Sequence, residues 1–373
     1  MAGKSNKKVV VSVTNDLVTD QRVKRSIEVL LELGFEVTFI GRQLPESLPI
    51  ERPYKTVRFK LWFHKGFLFY ANYNLRLFWF LLFREYDVYL SNDLDTLLPN
   101  FLVSRLRAKP LIYDSHEYFT GVPEIQHRPL VKGVWSFLET WLLPRANDFI
   151  TVNQSIANLY YDDYGVVAEV VRNIADARLP GKRKSRAELG LPEDAFILIN
   201  QGSGINTDRG MEEAFEALKQ MDKVVLVLVG KGDVLPVLRE KARDEGLENK
   251  VIFISPQPYL EMLQYTLNAD CGLSLDKNTN LNYRYSLPNK IFDYVKCGLP
   301  VLVSDVVEVS SLVRKYKMGE VVSDHQPETI VAGLKQIRQN GKSFYEGGLQ
   351  KAARENHWEE ERKKLVEVFR KYC

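Results

Sequence analysis

The chain has 373 residues, which suits two domains of average size better than one core. Hydrophobic residues make up 45% and charged residues 27%, the balance of a globular protein. The formal net charge is only +3, from 51 basic and 48 acidic side chains, so there is no global case for nucleic-acid binding and no nucleic-acid partner is expected.

Short β-branched runs alternate with helical patterns almost from end to end. VVVSV (9–13) reads as a buried parallel strand. Val23, Ile27, Leu30 and Leu31 then share one helical face, and Gly34 ends that helix. Strands are expected at 35–40, 57–63, 87–90, 110–116 and 148–153. The polar, basic, Pro- and Gly-containing stretch 172–195 is the best candidate for a domain boundary. Alternation restarts with strands expected at 196–202, 224–230, 251–255, 271–275 and 300–305. This pattern predicts an α/β protein of two doubly wound, Rossmann-like domains with parallel sheets, residues 1–175 and 176–355. A last segment, 356–373, places Trp358, Leu365 and Phe369 on one stripe and is expected to cross back to the first domain.

The strongest chemical signal is SLPNKIFDYVKCGLPVLVSD (286–305). Pro288 suits a helix start, Asn289 to Cys297 would form the helix, and Gly298 would end it. Lys290 then sits in the first turn, where a cation opposes the helix dipole unless an anionic ligand docks there. Asp293, one turn on, is placed to accept hydrogen bonds from ribose hydroxyls; a plain βαβ crossover is the bland alternative. In NQGSGINTDRG (200–210), Gly202, Ser203 and Gly204 form a loop between a strand and a helix, and Arg209 adds a fixed fork of donors for phosphate. YDSHEYF (113–119) sets His116 and Glu117 at a strand's carboxyl end, where a histidine serves a structural role as readily as it binds hydroxyls. Asn15, Asp16, Asp20 and Arg22 follow the first strand, and Asn92, Asp93 and Asp95 follow another; Asp20 and Asp95 would also serve as helix caps.

Five histidines without ligand spacing predict no metal site. Neither a G-x-S-x-G elbow nor a Walker A lysine is present. Cys271, Cys297 and Cys373 are sparse and odd in number, which predicts a reducing compartment. The apolar run at the amino end is too short for a signal peptide, and no stretch reaches the roughly 20 apolar residues of a membrane span, so a cytoplasmic protein is expected. From Arg52 to Arg84 there are seven basic residues, no acidic one and 12 aromatic ones. A domain core would use the rings, but an anionic membrane surface, the inner face of the cell membrane, would use both rings and cations.

In the order and spacing of these segments the whole chain resembles the family 4 retaining glycosyltransferases of GT-B fold, most of all the bacterial branch that builds surface polysaccharides and glycans. The resemblance implies two Rossmann-like domains facing a cleft, the first binding a glycan or lipid-linked acceptor and the second a nucleoside-diphosphate sugar, with no further cofactor and no metal. It assigns the acceptor to Asn15, Asp16, Arg22, Asn92, Asp93 and Glu117. It assigns the donor to Gly202, Ser203, Gly204, Arg209, Pro288, Asn289, Lys290 and Asp293. His116 would reach the donor sugar's hydroxyls, while Arg209 and Lys290 would neutralise the leaving diphosphate. Catalysis would then rest on positioning and electrostatics, and the acceptor would attack the face the diphosphate leaves.

Three positions depart from the family pattern. Tyr285 stands where a glutamate is usual, Asp293 is one methylene shorter than its usual counterpart, and the QGSG loop lacks the arginine common after its first glycine. Two other readings follow: a sugar-nucleotide epimerase of the same architecture, and a catalytically silent partner in a glycan-assembly complex.

Overall fold

Every strand pairing in the computed structural model is parallel, and the strands fall into two sheets. The structure describes residues 6–18, 20–175 and 178–373. The chain divides into two units, Met1–Asn173 with Glu361–Cys373, and Ile174–Glu360. The boundary expected at 175/176 adjoins residues 176 and 177, which lie outside the described ones, as do residues 1–5 and 19.

The first unit runs β1 (Lys8–Asp16), α1 (Gln21–Glu32), β2 (Glu36–Gln43), β3 (Lys55–Lys60), α2 (Gly66–Leu82), β4 (Val88–Asn92), α3 (Leu94–Leu106) and β5 (Leu111–Asp114). It continues through α4 (Pro123–Gln126), α5 (Pro129–Leu142), β6 (Asp148–Thr151), α6 (Gln154–Tyr164) and β7 (Glu169–Val170). The sheet order is β3-β2-β1-β4-β5-β6-β7, so its growth reverses between β1 and β4. β1 is buried from Val9 to Thr14, as a central parallel strand covered on both faces must be. Asp20 caps α1 by accepting the Val23 N–H at 3.1 Å, and Val23, Ile27 and Leu30 form its buried face. α2 buries Phe69, Tyr73, Leu77 and Leu81, one stripe at helical spacing.

The second unit has β8 (Phe196–Gly202), α7 (Met211–Leu218), β9 (Val224–Gly230), α8 (Leu235–Asp244), β10 (Val251–Ile254), α9 (Tyr259–Asn268) and β11 (Cys271–Ser274). Then come α10 (Leu281–Arg284), α11 (Asn289–Lys296), β12 (Val301–Ser304), α12 (Val307–Tyr316), β13 (Gly319–Val322) and α13 (Pro327–Glu355), which breaks at Gly341. The order β10-β9-β8-β11-β12-β13 repeats the winding of the first unit, with its reversal between β8 and β11. In open α/β sheets ligands bind beyond the strand ends at such a reversal, which directs attention to the carboxyl ends of β1, β4, β8 and β11.

The final helix, α14 (Trp358–Arg370), belongs to the first unit from Glu361 onward. Glu361 is fully buried, and Arg172 donates to its carboxylate through the backbone N–H at 2.9 Å and Nε at 2.7 Å. Lys364 bonds the same carboxylate at 3.0 Å and the Val170 carbonyl at 2.9 Å. A buried carboxylate bonded this fully has its desolvation offset.

Candidate active site

In the second unit, β8 runs into the loop 202–210. Gly202 has φ +127°, a conformation that glycine adopts freely, and a Cβ built at Gly202 or Gly204 would meet nothing within 4 Å. The backbone there lies against open space. Gly210 differs: at φ +74° it sits so close to the end of β11 that a Cβ would lie 2.2 Å from the Leu275 carbonyl oxygen. That approach carries Arg209 beside Asp276, the second residue past β11. Arg209 Nη1 donates to Asp276 Oδ2 at 2.9 Å, and the Tyr283 ring lies 4.2 Å from its guanidinium carbon.

Lys290 lies in the first turn of α11, as the sequence indicates, but Pro288 is the residue before the helix, and no side-chain hydrogen bond caps it. Lys290 is only 9% exposed and donates to Asn200 Oδ1 at 3.2 Å. Burial pulls its ammonium down to about 8; Asp276 opposes this and Arg209 adds to it. Two cations and one carboxylate thus converge where β8 and β11 part. Ser203 is exposed beside them. Asp293 is buried and accepts from Gln201 Nε2 at 3.1 Å and Tyr259 O–H at 2.5 Å, so a ribose would meet this carboxylate already bonded inside its own unit.

In the first unit the ends of β4 and β5 bring Asp93, Asp114 and His116 together. His116 donates its backbone N–H to Asp93 Oδ1 at 2.9 Å, and its Nδ1 lies 3.3 Å from Asp93 Oδ2. Its Nε2 is 3.7 Å from Asp114 Oδ2 and has no hydrogen-bond partner among the described residues. Burial alone would favour the neutral imidazole; Asp93 and Asp114 overcome this and hold it at about 9, so His116 is a cation at neutral pH. Glu117, adjacent to His116 in sequence, is exposed; the carboxylates facing the imidazole are Asp93 and Asp114, at the ends of neighbouring strands.

Several residues grouped by the sequence with an acceptor are engaged within the unit. Arg22 is 6% exposed: Nε and Nη2 grip Asp114 at 3.2 and 2.6 Å, and Nη1 donates to the Val171 carbonyl at 2.7 Å. It clamps the site from below, with those three donors used internally. Asn92 is also buried and donates to the Ser12 carbonyl at 3.1 Å, tying β4 to β1. Asp16 accepts from the Val18 N–H at 3.1 Å and from Ser47, while Asn15 is exposed. Asp95 does not cap α3; it is buried and accepts from Thr14 at 2.5 Å, with burial and Asp93 raising its carboxyl to about 7.

Asp114 and Asp276 went unassigned in the sequence although each stands at a strand end, the one signal that would have found them. Asn200, Gln201 and Tyr259 carried no signal, because their importance lies in which side chain they touch. Among the described residues no group of three or more His, Cys, Asp or Glu side chains is placed to hold a metal ion.

Two Rossmann-like units of the same winding, each with charged groups at its topological reversal, define the GT-B class of fold. Residues 21–178 match the family described as "Glycosyltransferase Family 4", and residues 181–356 match "Glycosyl transferases group 1". The chain belongs to the family 4 glycosyltransferases of GT-B fold. It is similar to the solved sucrose-phosphate synthase of Thermosynechococcus elongatus, with a TM-score of 0.78 and 17% identity over 98% of this chain and 99% of that one. It is also similar to Anabaena Alr3699/HepE, solved in complex with UDP and glucose, with a TM-score of 0.75 and 16% identity over 98% of this chain and 100% of that one. A curated relative, the chitobiosyldiphosphodolichol beta-mannosyltransferase of Candida albicans, is 25% identical over 60% of this chain and 53% of its own length. The chain spans about half the length of the curated relatives it matches.

Proposed function

We propose that the protein transfers a hexose from a nucleoside-diphosphate sugar to a glycan or lipid-linked acceptor, with retention of configuration and without a metal. The observation that carries this reading is the pair of cations, half-buried Arg209 and buried Lys290, beside the open glycine loop at the end of β8. A metal-free transferase needs fixed positive charge where the leaving diphosphate develops its own, and a dry site makes that charge effective. UDP in the Alr3699/HepE structure agrees with a nucleotide-sugar donor. In this reading His116 donates a hydrogen bond from Nε2–H to a hydroxyl of the donor sugar. The bond from the sugar's anomeric carbon to the diphosphate breaks, the acceptor oxygen bonds the same face, and the leaving oxygen takes the acceptor's proton.

The test is release of a nucleoside diphosphate from UDP-, GDP- and ADP-sugars with an acceptor extract, in the presence and absence of EDTA. Release that needs the extract and survives EDTA supports the reading; no release with any donor supports the silent-partner reading instead.

One observation favours a second reading, the epimerase. Asp93 and Asp95 lie with His116, and Asp95 at about 7 is poised for proton transfer at neutral pH. Turnover of donor without any acceptor would favour it.

The surface of the first unit supports work at a membrane. No helix among the described residues is long and apolar enough to cross a bilayer. Trp62, Phe67, Trp79 and Phe83, all within residues 52–84, are nevertheless exposed, as are Lys60 and Lys65. We assign this face to anionic lipid.

A further inference from the structure

A carboxylate is an unexpected neighbour for two cations assigned to a diphosphate. Asp276 is fully buried. Its Oδ2 accepts from Arg209 at 2.9 Å and from Ser286 Oγ at 3.0 Å, while Oδ1 has no hydrogen-bond partner among the described residues. Its backbone carbonyl accepts from Ser304 Oγ at 2.6 Å, which pins the chain at this point. Arg209 Nε is likewise buried without a partner among the described residues. A purely structural ion pair is stable when its buried oxygens and protons are bonded as well; here one buried oxygen and one buried N–H have no hydrogen-bond partner among the described residues. The pair is therefore incomplete as architecture, and Ser286 gives the carboxylate a bond it keeps if Arg209 turns to another anion.

We propose that Asp276 is a resident counter-anion that competes with the donor's diphosphate for Arg209 and so sets how readily the nucleoside diphosphate leaves. The inference rests on the reading of Arg209 and Lys290 as the diphosphate site. Buried Lys290 and half-buried Arg209 would repel each other with no counter-charge nearby, and Asp276 supplies that charge. Once diphosphate oxygens take Arg209, the carboxylate repels them at short range in a poorly screened site. That repulsion lowers affinity for donor and product alike. Where product release limits the rate, weaker holding raises turnover. The rival account, in which Asp276 merely orients Arg209 for phosphate, predicts the opposite sign: its loss would weaken binding.

Asp276→Asn is nearly isosteric and keeps an oxygen for Ser286. UDP, GDP and ADP are titrated into the full chain by calorimetry at pH 6.5, where Lys290 stays charged although its stabilising neighbour is gone. For the nucleotide bound by the unsubstituted protein, the variant is expected to bind roughly tenfold tighter, the change due to one charge-assisted bond no longer contested. Its Tm without nucleotide falls, and multiple-turnover rate falls while single-turnover rate holds. Asp276→Glu, which keeps the charge, stays near the original affinity. Asp276→Ser is a second neutral variant should the asparagine fail to fold. Unchanged or weaker binding in the neutral variants overturns the inference while leaving the diphosphate site standing. No binding of any of the three by the unsubstituted protein overturns both.

Discussion

Asp93 holds His116 at two points, accepting the backbone N–H at 2.9 Å and facing the imidazole at 3.3 Å, and does so from a backbone with φ +57° and ψ 162°. That region suits glycine, and a residue with a side chain there is strained by about 1–3 kcal/mol. The strain persists because β4, β5 and His116 together fix the turn. Asp93→Gly relieves the backbone but removes both contacts. We expect a Tm within a few degrees of the original and a rate at least roughly tenfold lower, the loss due to one misplaced charge-assisted contact. A full rate in this variant, with an ordinary Tm, would separate the strained turn from function.

The same contacts make stability depend on pH. His116 is raised from its ordinary value to about 9, so the folded chain holds the proton more tightly than the unfolded one. Its contribution is fully present below about 6.5 and is lost as pH rises through about 9. Urea unfolding of the protein and of His116→Gln should differ most near pH 6, by something on the order of 2–3 kcal/mol, and converge above pH 9. A difference that is flat from pH 6 to 9 would show that the imidazole is neutral throughout.

The alternation of strands and helices was legible because central parallel strands must be apolar throughout: Val9 to Val11 and Val224 to Val229 admit no other reading. β7 and β13 were not legible. β7 has two residues, and β13, GEVV, is too short and mixed to stand out from a loop. In the site, Lys290 announced itself as a cation at a helix start. Arg22 looked like a ligand contact because a sequence shows a charge but not its partner; only the fold reveals that Asp114 and Val171 occupy it. Asp276 was passed over for the same reason, since nothing within a few residues of it reports that Arg209 folds onto it.

Arg209→Ala should lower turnover at least roughly tenfold with the fold intact, since a charge-assisted bond to a phosphate in a dry site contributes about 1.5–3 kcal/mol. Activity of the unsubstituted protein should be unchanged by EDTA. An active Arg209→Ala variant, or an enzyme silenced by EDTA, contradicts the metal-free assignment.

Lys290 adds a pH dependence of opposite origin. Burial depresses it to about 8, so above that pH the amine is neutral and no longer attracts phosphate. Nucleoside-diphosphate affinity should fall as pH rises from 7 to 9, and Lys290→Arg should flatten the profile because a guanidinium stays charged. The folded chain binds this proton less tightly than the unfolded one, so this group's effect on stability improves between about 8 and 10.5. Affinity that is level from pH 7 to 9 would remove Lys290 from the diphosphate.

The last prediction concerns the face formed by α2 and α5. Tyr70 of α2 meets Trp135 of α5 edge to face at 5.2 Å, so the two helices adjoin. Their outer sides expose Phe67, Trp79, Leu130, Val134, Phe137 and Trp141. In residues 128–145 the one acidic side chain, Glu139, is fully buried, while Arg128 and Arg145 are exposed. Core packing accounts for Phe69, Tyr73, Leu77 and Leu81 but leaves the outer rings, and the lack of exposed carboxylates, unexplained. Rings at headgroup depth with cations around them fit an anionic bilayer, where each basic group adds about 1 kcal/mol and salt weakens the sum. The protein should co-sediment with vesicles containing anionic lipid, less with neutral ones, and less again at high salt. Lys60→Glu with Lys65→Glu should lower the anionic preference, and Phe67→Ser with Phe137→Ser should lower binding to both kinds of vesicle. Equal sedimentation with neutral and anionic lipid, or binding unmoved by either pair of substitutions, would leave this face without a membrane role.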